Sequence, residues 1–418
     1  MKRREFLRNL ALLSSLALID PAKAISHFSD AFEGIRVNKL STLPKVIHIY
    51  LYGGASELVG NTSNVGELRD YINFPDITTT ENDFWLEAGG DILEELLVSN
   101  DMSIVRTINR QIHKTKTHRI CINENLSGRN DEFGPGLVDM INLSLIRQGI
   151  DTRSLKFPYV SFEGNSKVFS KVDIRPLALA QNLRNIYKFQ KRAVVKNIDY
   201  YTTIEDLSKT MNRKDMEYSF ISDTIRQQKY ASKFLEDFTS SKKLPSGVSY
   251  PDTTSGKLLQ AAVSLLDYNE DTVFVSLGSC GTGNWDDHSG FFSNYPKRMK
   301  QLLEAIKSAI DHINALGRDD IIISVYGDFG RNLYVNTANG LDHGDNQNWY
   351  TFGGRRFREL GNIIGETKLT VQKDKRRIYT TNKDNSVRYE PYSIASTIWS
   401  YYGLQNPETI NQSKIITL

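Results

Sequence analysis

Asp320-Ile321-Ile322-Ile323-Ser324-Val325-Tyr326 is the stretch that decides the fold. Branched aliphatic residues dominate it and no Gly or Pro interrupts it, so it reads as a strand covered on both faces. Such strands belong to parallel sheets lying between helices. Just before it, Lys297–Leu316 has the pattern of an amphipathic helix stopped by Gly317. Val46–Tyr52 (V-I-H-I-Y-L-Y), halted by Gly53-Gly54, together with Met102–Ile108, Tyr159–Glu163 and Thr272–Leu277, read as further strands. Phe84–Ser99, Asp139–Gly149 and Leu258–Tyr268 carry helical spacing. The alternation predicts an α/β fold, a mostly parallel sheet sandwiched by helices. Residues 176–259 differ: they are rich in Lys, Arg, Asp, Glu and Tyr, poor in Gly and mostly helical in pattern, broken near Leu244-Pro245-Ser246-Gly247. They read as a helical insertion or cap in the middle of one large domain spanning residues 25–418.

The amino terminus is an address. Lys2, Arg3 and Arg4 form a basic segment, and Arg3-Arg4-Glu5-Phe6-Leu7 matches the pattern read by the twin-arginine translocase. The apolar run Leu10–Ile19 is too short for a stable membrane anchor, and Ala22-Lys23-Ala24 fits a cleavage site. Residues 1–24 therefore read as a signal peptide, and the expected location is periplasmic or extracellular. The segment holds five basic and two acidic side chains, which equals the whole chain's net charge of +3. The remainder is near neutral, which argues against nucleic acid as a partner. No later apolar run is long enough to span a membrane. Two cysteines, Cys121 and Cys280, make neither a disulfide scaffold nor a Cys-x-x-Cys zinc signature. Whether they pair stays open.

Sites in open parallel sheets form beyond the carboxyl ends of the strands. Of seven histidines, four follow predicted strands: His113, His118, His288 and His343. Asp286, Asp287, Asp328 and Asp342 follow strands in the same way, and Ser56-Glu57 comes just after Gly53-Gly54. Imidazoles and carboxylates in such a set suit zinc, manganese or calcium. Asp286 and His288 are two residues apart in a Gly-rich loop, where both can face one ion. Asp328 closes a buried strand, where a carboxylate is costly unless it is metal-bound or paired, for instance with Arg331. A Gly-x-Ser-x-Gly elbow is missing, which counts against an α/β-hydrolase.

Three late motifs carry a resemblance. Trp285-Asp286-Asp287-His288, Gly327-Asp328-Phe329-Gly330-Arg331 and Gly340-Leu341-Asp342-His343-Gly344 resemble motifs of the domain-of-unknown-function 1501 family, placed in the alkaline phosphatase and sulfatase superfamily. Leu51-Tyr52-Gly53-Gly54, Thr117-His118 with Gly128 beyond, and Tyr389-Glu390-Pro391 agree less specifically. The resemblance implies an alkaline phosphatase-like domain with one or two metal ions at the sheet's carboxyl edge. It assigns Thr117 as nucleophile with His118 beside it. Asp286, His288, Asp328 and His343 become metal ligands, with Glu57 substituting for the family's Asp after Gly-Gly. Two departures stand out: Ser56 where that Asp is usual, and Phe329 where superfamily phosphatases often carry His. The leading expectation is a metal-dependent hydrolase of phosphate or sulfate esters, on a small-molecule, glycan or envelope substrate. The alternative is a non-catalytic binding or assembly protein that keeps the fold.

Overall fold

The computed structural model describes residues 35–64, 77–130, 136–152, 154–163, 166–169, 244–372, 377–383 and 388–417, with Glu67, Leu177–Ala178, Lys233–Phe234 and Asp237–Phe238 besides. The chain divides into two compact units, residues 35–181 with 244–418, and residues 1–34 with 182–243. In the smaller unit the described residues are short helical pieces, with the Phe234 and Phe238 rings stacked at 6.4 Å. The expected signal peptide lies outside the described residues, as does most of the expected insertion.

The larger unit is built on an eight-stranded sheet. Its strands are β1 (Lys45–Leu51), β2 (Met102–Asn109), β3 (Tyr159–Ser161), β4 (Leu177–Ala178), β5 (Phe274–Ser276), β6 (Ile321–Gly327), β9 (Asn346–Gly353) and β10 (Ile363–Ile364). The spatial order is β10-β2-β9-β6-β1-β5-β3-β4. β1 and β6 pair in parallel along their whole length, Lys45 opposite Ile321 through Leu51 opposite Gly327. Both are buried at every residue, in keeping with the mostly branched aliphatic sequence of β6. Burial on both faces is supplied by helices α1 (Gly90–Val98), α2 (His118–Ser127), α3 (Leu137–Arg147), α4 (Thr254–Tyr268), α5 (Phe291–Ala315), α6 (Pro391–Tyr401) and α7 (Glu408–Asn411). α1 and α4 pack on α5, while α2 and α3 pack on α6. α5 buries one stripe, including Met299, Leu302, Leu303, Ile306 and Ile310, and each such side chain contributes roughly 1.5–3 kcal/mol.

The predicted mostly parallel, helix-sandwiched sheet is observed, with one reversal: β9 runs antiparallel to both β2 and β6. Its sequence, N-Q-N-W-Y-T-F-G, is too polar to read as a central strand, yet all eight residues are buried. Several of its polar side chains find partners there: Asn346 Nδ2 donates to Arg106 O and Thr380 Oγ1, Gln347 Oε1 accepts from Gly327 N–H, and Trp349 Nε1 donates to Ser324 Oγ. Two small hairpins were equally hidden in the sequence, β7 (Arg331–Val335) with β8 (Leu341–His343), and β11 (Thr367–Val371) with β12 (Ile378–Asn382). Leu177–Ala178, expected within the helical insertion, is an edge strand parallel to β3. α4 begins at Thr254, four residues before the expected start, because Thr253 Oγ1 caps it by accepting from Gly256 N–H. Both cysteines are free and buried, which settles the open question against a disulfide.

Candidate metal centre

The carboxyl ends of β1, β5 and β6 meet where Gly53-Gly54 turns the chain away from β1. Gly53 has φ +107°, and a Cβ there would lie 2.2 Å from Asn284 Oδ1 and 2.5 Å from the amide nitrogen of Asp286. The absence of a side chain lets the loop carrying Asp286 and His288 close directly onto β1. Arg331, at the start of β7 and almost wholly buried, locks this junction. Its guanidinium donates to Gly54 O at 2.7 Å, Leu341 O at 3.0 Å, Trp285 O at 3.0 Å and Gly53 O. It also pairs with Asp286 Oδ1 at 2.7 Å. Five donors in a rigid fork are what such a junction needs. Arg331 therefore pairs with Asp286, not with Asp328 as the sequence had left open.

Asp286 Oδ1 is also the point on which three imidazoles converge. His288 Nε2 lies 3.1 Å from it, His118 Nε2 3.4 Å and His343 Nε2 3.7 Å. His288 Nε2 and His343 Nε2 are 3.0 Å apart. One ligand atom from each of the four residues falls within 4.8 Å of the other three. Each ring is held from behind by Nδ1. That of His343 donates to the carbonyl oxygen of Lys116 at 2.8 Å, which can only accept. That of His288 meets Asp342 Oδ1 at 3.0 Å, and that of His118 meets Asp328 Oδ2 at 2.8 Å. A neutral imidazole that gives its proton outward presents its other lone pair inward, so three Nε2 lone pairs face one locus.

The electrostatics follow the same division. Asp328 raises the His118 pKa by its hydrogen bond and charge, against the opposing effect of burial. Burial, with the charge of Arg331 next, pushes His343 down to about 4, so it stays neutral and available as a ligand near pH 7. Burial works to raise Asp286, but the hydrogen bond and charge of Arg331 outweigh it and hold the carboxylate below its ordinary range. Asp342 is lowered as well: burial opposes, and hydrogen bonds from His288 and Asn336 prevail.

The residues fit a divalent cation. His118 Nε2 is buried without a hydrogen-bond partner among the described residues, and the 3.0 Å His288–His343 approach leaves lone pairs facing each other. A tetrahedral site with bonds of ~2.0–2.1 Å has ligand–ligand edges of about 3.4 Å, and the distances from Asp286 Oδ1 to the imidazoles, 3.1–3.7 Å, bracket that. Three nitrogens and one carboxylate oxygen favour zinc over calcium.

Of the residues expected from sequence, Asp286, His288 and His343 come together, and His118 joins them as a potential ligand. Asp328 is corrected: it stands behind His118, where its Oδ2 also accepts from Gly53 N–H at 3.1 Å. Glu57 is corrected as well. It is buried elsewhere, with Oε1 accepting from Thr380 Oγ1 at 3.0 Å and Oε2 without a partner among the described residues. Burial raises its pKa to about 7. Thr117 is the exposed residue preceding α2, and its side chain makes no capping hydrogen bond. Asp287 turns away to Arg298, and His113 to Glu124 Oε1 at 2.6 Å. Asp342, Arg331 and the Lys116 carbonyl were missed as organisers. Asp342 and Arg331 did carry a signal, since both stand in the late motifs, whereas nothing pointed to the Lys116 carbonyl.

Comparison with known proteins agrees with the motif resemblance. Residues 221–409 match the model of the family described as Protein of unknown function (DUF1501). None of the curated proteins matches the chain in sequence. Among solved structures, the C-terminal periplasmic domain of EcEptC from Escherichia coli, in complex with Zn, is similar at 10% identity over 89% of this chain and 85% of that one, with a TM-score of 0.41. Lipoteichoic acid synthase LtaP from Listeria monocytogenes is similar at 9% identity over 91% and 78%, TM-score 0.39. Ps i-CgsB in complex with k-i-k-neocarrahexaose is similar at 13% identity over 88% and 74%, TM-score 0.38. Among the described residues no helix is long and apolar enough to cross a membrane.

Proposed function

We propose that this chain is a metal-dependent hydrolase of phosphate or sulfate esters, exported by the twin-arginine route and acting in the periplasm or outside the cell on a glycan or other envelope component. The observation that carries the reading is the convergence of His118, His288 and His343 on Asp286, each imidazole held from behind. These four residues would hold the ion. Bound there, a divalent cation polarises a phosphoryl or sulfuryl oxygen and stabilises charge developing on it. The half-exposed His288 and exposed Asp342 leave the site open to substrate. Arg331 keeps Asp286 ionised, and Asp328 fixes the ring of His118. Thr117 is assigned as the nucleophile because its hydroxyl does no capping work and it directly precedes a ligand. In this reading the Thr117 oxygen bonds to phosphorus or sulfur as the bond to the ester oxygen breaks, the hydroxyl proton leaves with that oxygen as the alcohol, and water later releases the transferred group as free phosphate or sulfate and restores the Thr117 hydroxyl.

The site favours one ion over two. Phe329 fills the place beside Asp328, its ring 4.8 Å from that of His118 and 4.4 Å from that of His343, and Glu57 is engaged elsewhere. The same two features support the non-catalytic alternative, a binding protein that retains the fold. Aryl phosphate and aryl sulfate turnover by the purified chain, with and without chelator, separates the readings. Chelator-sensitive turnover lost in Thr117→Ala supports the hydrolase; bound metal with no turnover of either ester supports the binding protein.

A further inference from the structure

A cleft of about 500 Å³ opens between the loop that follows β2 and the β11–β12 hairpin. Among the described residues five basic side chains line it, Arg110, Lys114, Lys116, Lys368 and Arg388, against one acidic side chain, Asp345. Arg110 is matched by Glu124 at 2.7 Å and Lys116 by Asp345 at 2.8 Å. Lys114 and Lys368 are exposed and have no acidic partner among the described residues. Beyond the signal segment the chain is near neutral, so this positive excess is local and not a by-product of a basic protein.

Lys116 belongs to both places. Its carbonyl oxygen holds His343 Nδ1 at 2.8 Å, and its ammonium faces the cleft toward Asp345. The cleft thus borders the histidine cluster through one residue. We propose that it is a subsite for a second anionic group, a phosphate or sulfate carried on the same substrate a short distance from the ester at the cluster. The proposal rests on the hydrolase reading for which ester is cleaved, and narrows the substrate to a molecule with at least two anionic groups. The cleft volume suits a sugar-sized unit. Among the described residues no aromatic side chain lines it, so they offer no base-stacking platform of the kind found in single-stranded nucleic acid sites.

The test is titration calorimetry on the mature chain with four small probes and one polymer. The probes are glucose 6-phosphate against glucose 1,6-bisphosphate, a monosulfated against a disulfated disaccharide, and a short single-stranded DNA. The doubly charged member of at least one pair is expected to bind about tenfold more tightly at low salt, with the advantage shrinking as salt screens the lysines. The pair that discriminates tells phosphate from sulfate. Charge reversal in Lys114→Glu/Lys368→Glu, checked for folding by circular dichroism, should bring the ratio to within about twofold. Equal affinity within both pairs, a ratio that survives charge reversal, or DNA binding more tightly than every small probe would overturn the proposal. Repeating the titration on chelator-treated protein separates the two readings. Discrimination without any ester turnover leaves the cleft standing and removes the hydrolase, whereas turnover without discrimination does the reverse.

Discussion

His118 and Asp328 lie 210 residues apart in the chain, and His118 Nδ1 meets Asp328 Oδ2 at 2.8 Å. The carboxylate is fully buried and its Oδ2 also accepts the Gly53 amide. It acts on the cluster through the ring that it orients. Asp328→Asn should lower zinc affinity roughly 10–100-fold although no ligand is removed, because the amide no longer dictates the His118 tautomer. Competition with a chromogenic chelator measures this. An unchanged affinity would show that the ring needs no orienting partner.

Asp342 holds His288 in the same way but from solvent, with about half its side chain exposed. Screening weakens such a contact. Asp342→Asn should cost less than Asp328→Asn, under about tenfold in the same assay, and the gap should widen at higher salt.

Arg331 joins the β1 turn, the Trp285-Asp286 segment and β8 through five acceptors. Replacing it with Met strands four carbonyls and the Asp286 carboxylate. A loss of roughly 3–5 kcal/mol is expected in urea unfolding. His288→Ala, which removes a half-exposed ring, should change unfolding by less than about 1 kcal/mol in metal-free protein. If both variants unfold alike, Arg331 is not the structural hub.

Glu57 supplies a pH signature. Its carboxyl is raised to about 7 by burial, above the unfolded value near 4.5. The folded chain then binds more protons than the unfolded one between those values, so this group's contribution to stability is full below about pH 4.5 and is lost as pH rises through 7. Glu57→Gln, which mimics the protonated group, should exceed the parent by less than about 1 kcal/mol at pH 5 and by about 3 kcal/mol at pH 8. Unfolding measured at both pH values decides; an equal difference at each would contradict the buried, titrating carboxyl.

Much of this was legible in the sequence, for physical reasons that differ by element. β1 and β6 announce themselves because both faces are buried and branched aliphatic and aromatic residues dominate them, despite Lys45, His48 and Ser324. Asp286, His288 and His343 are legible because short motifs after strands project to one edge. β9 is not: Asn346 and Gln347 look solvent-facing until the Arg106 carbonyl and Thr380 accept from Asn346 and the Gly327 amide donates to Gln347. Glu57 and Asp328 were misread for a related reason. A carboxylate after a strand looks like a ligand, and only the packing shows that Glu57 is turned to β12 and Asp328 to His118. Arg331 could not be assigned to Asp286 before the turn at Gly53 brought their loops together.

The central claim is that one divalent ion sits where the three imidazoles meet Asp286. Elemental analysis of the purified chain after gel filtration tests it most directly, beside His288→Ala prepared in the same way. The account predicts about one equivalent of zinc or manganese per chain, falling below about a tenth of an equivalent in the variant. A parent chain that carries no metal after incubation with either ion, or a variant that keeps a full equivalent, would contradict it.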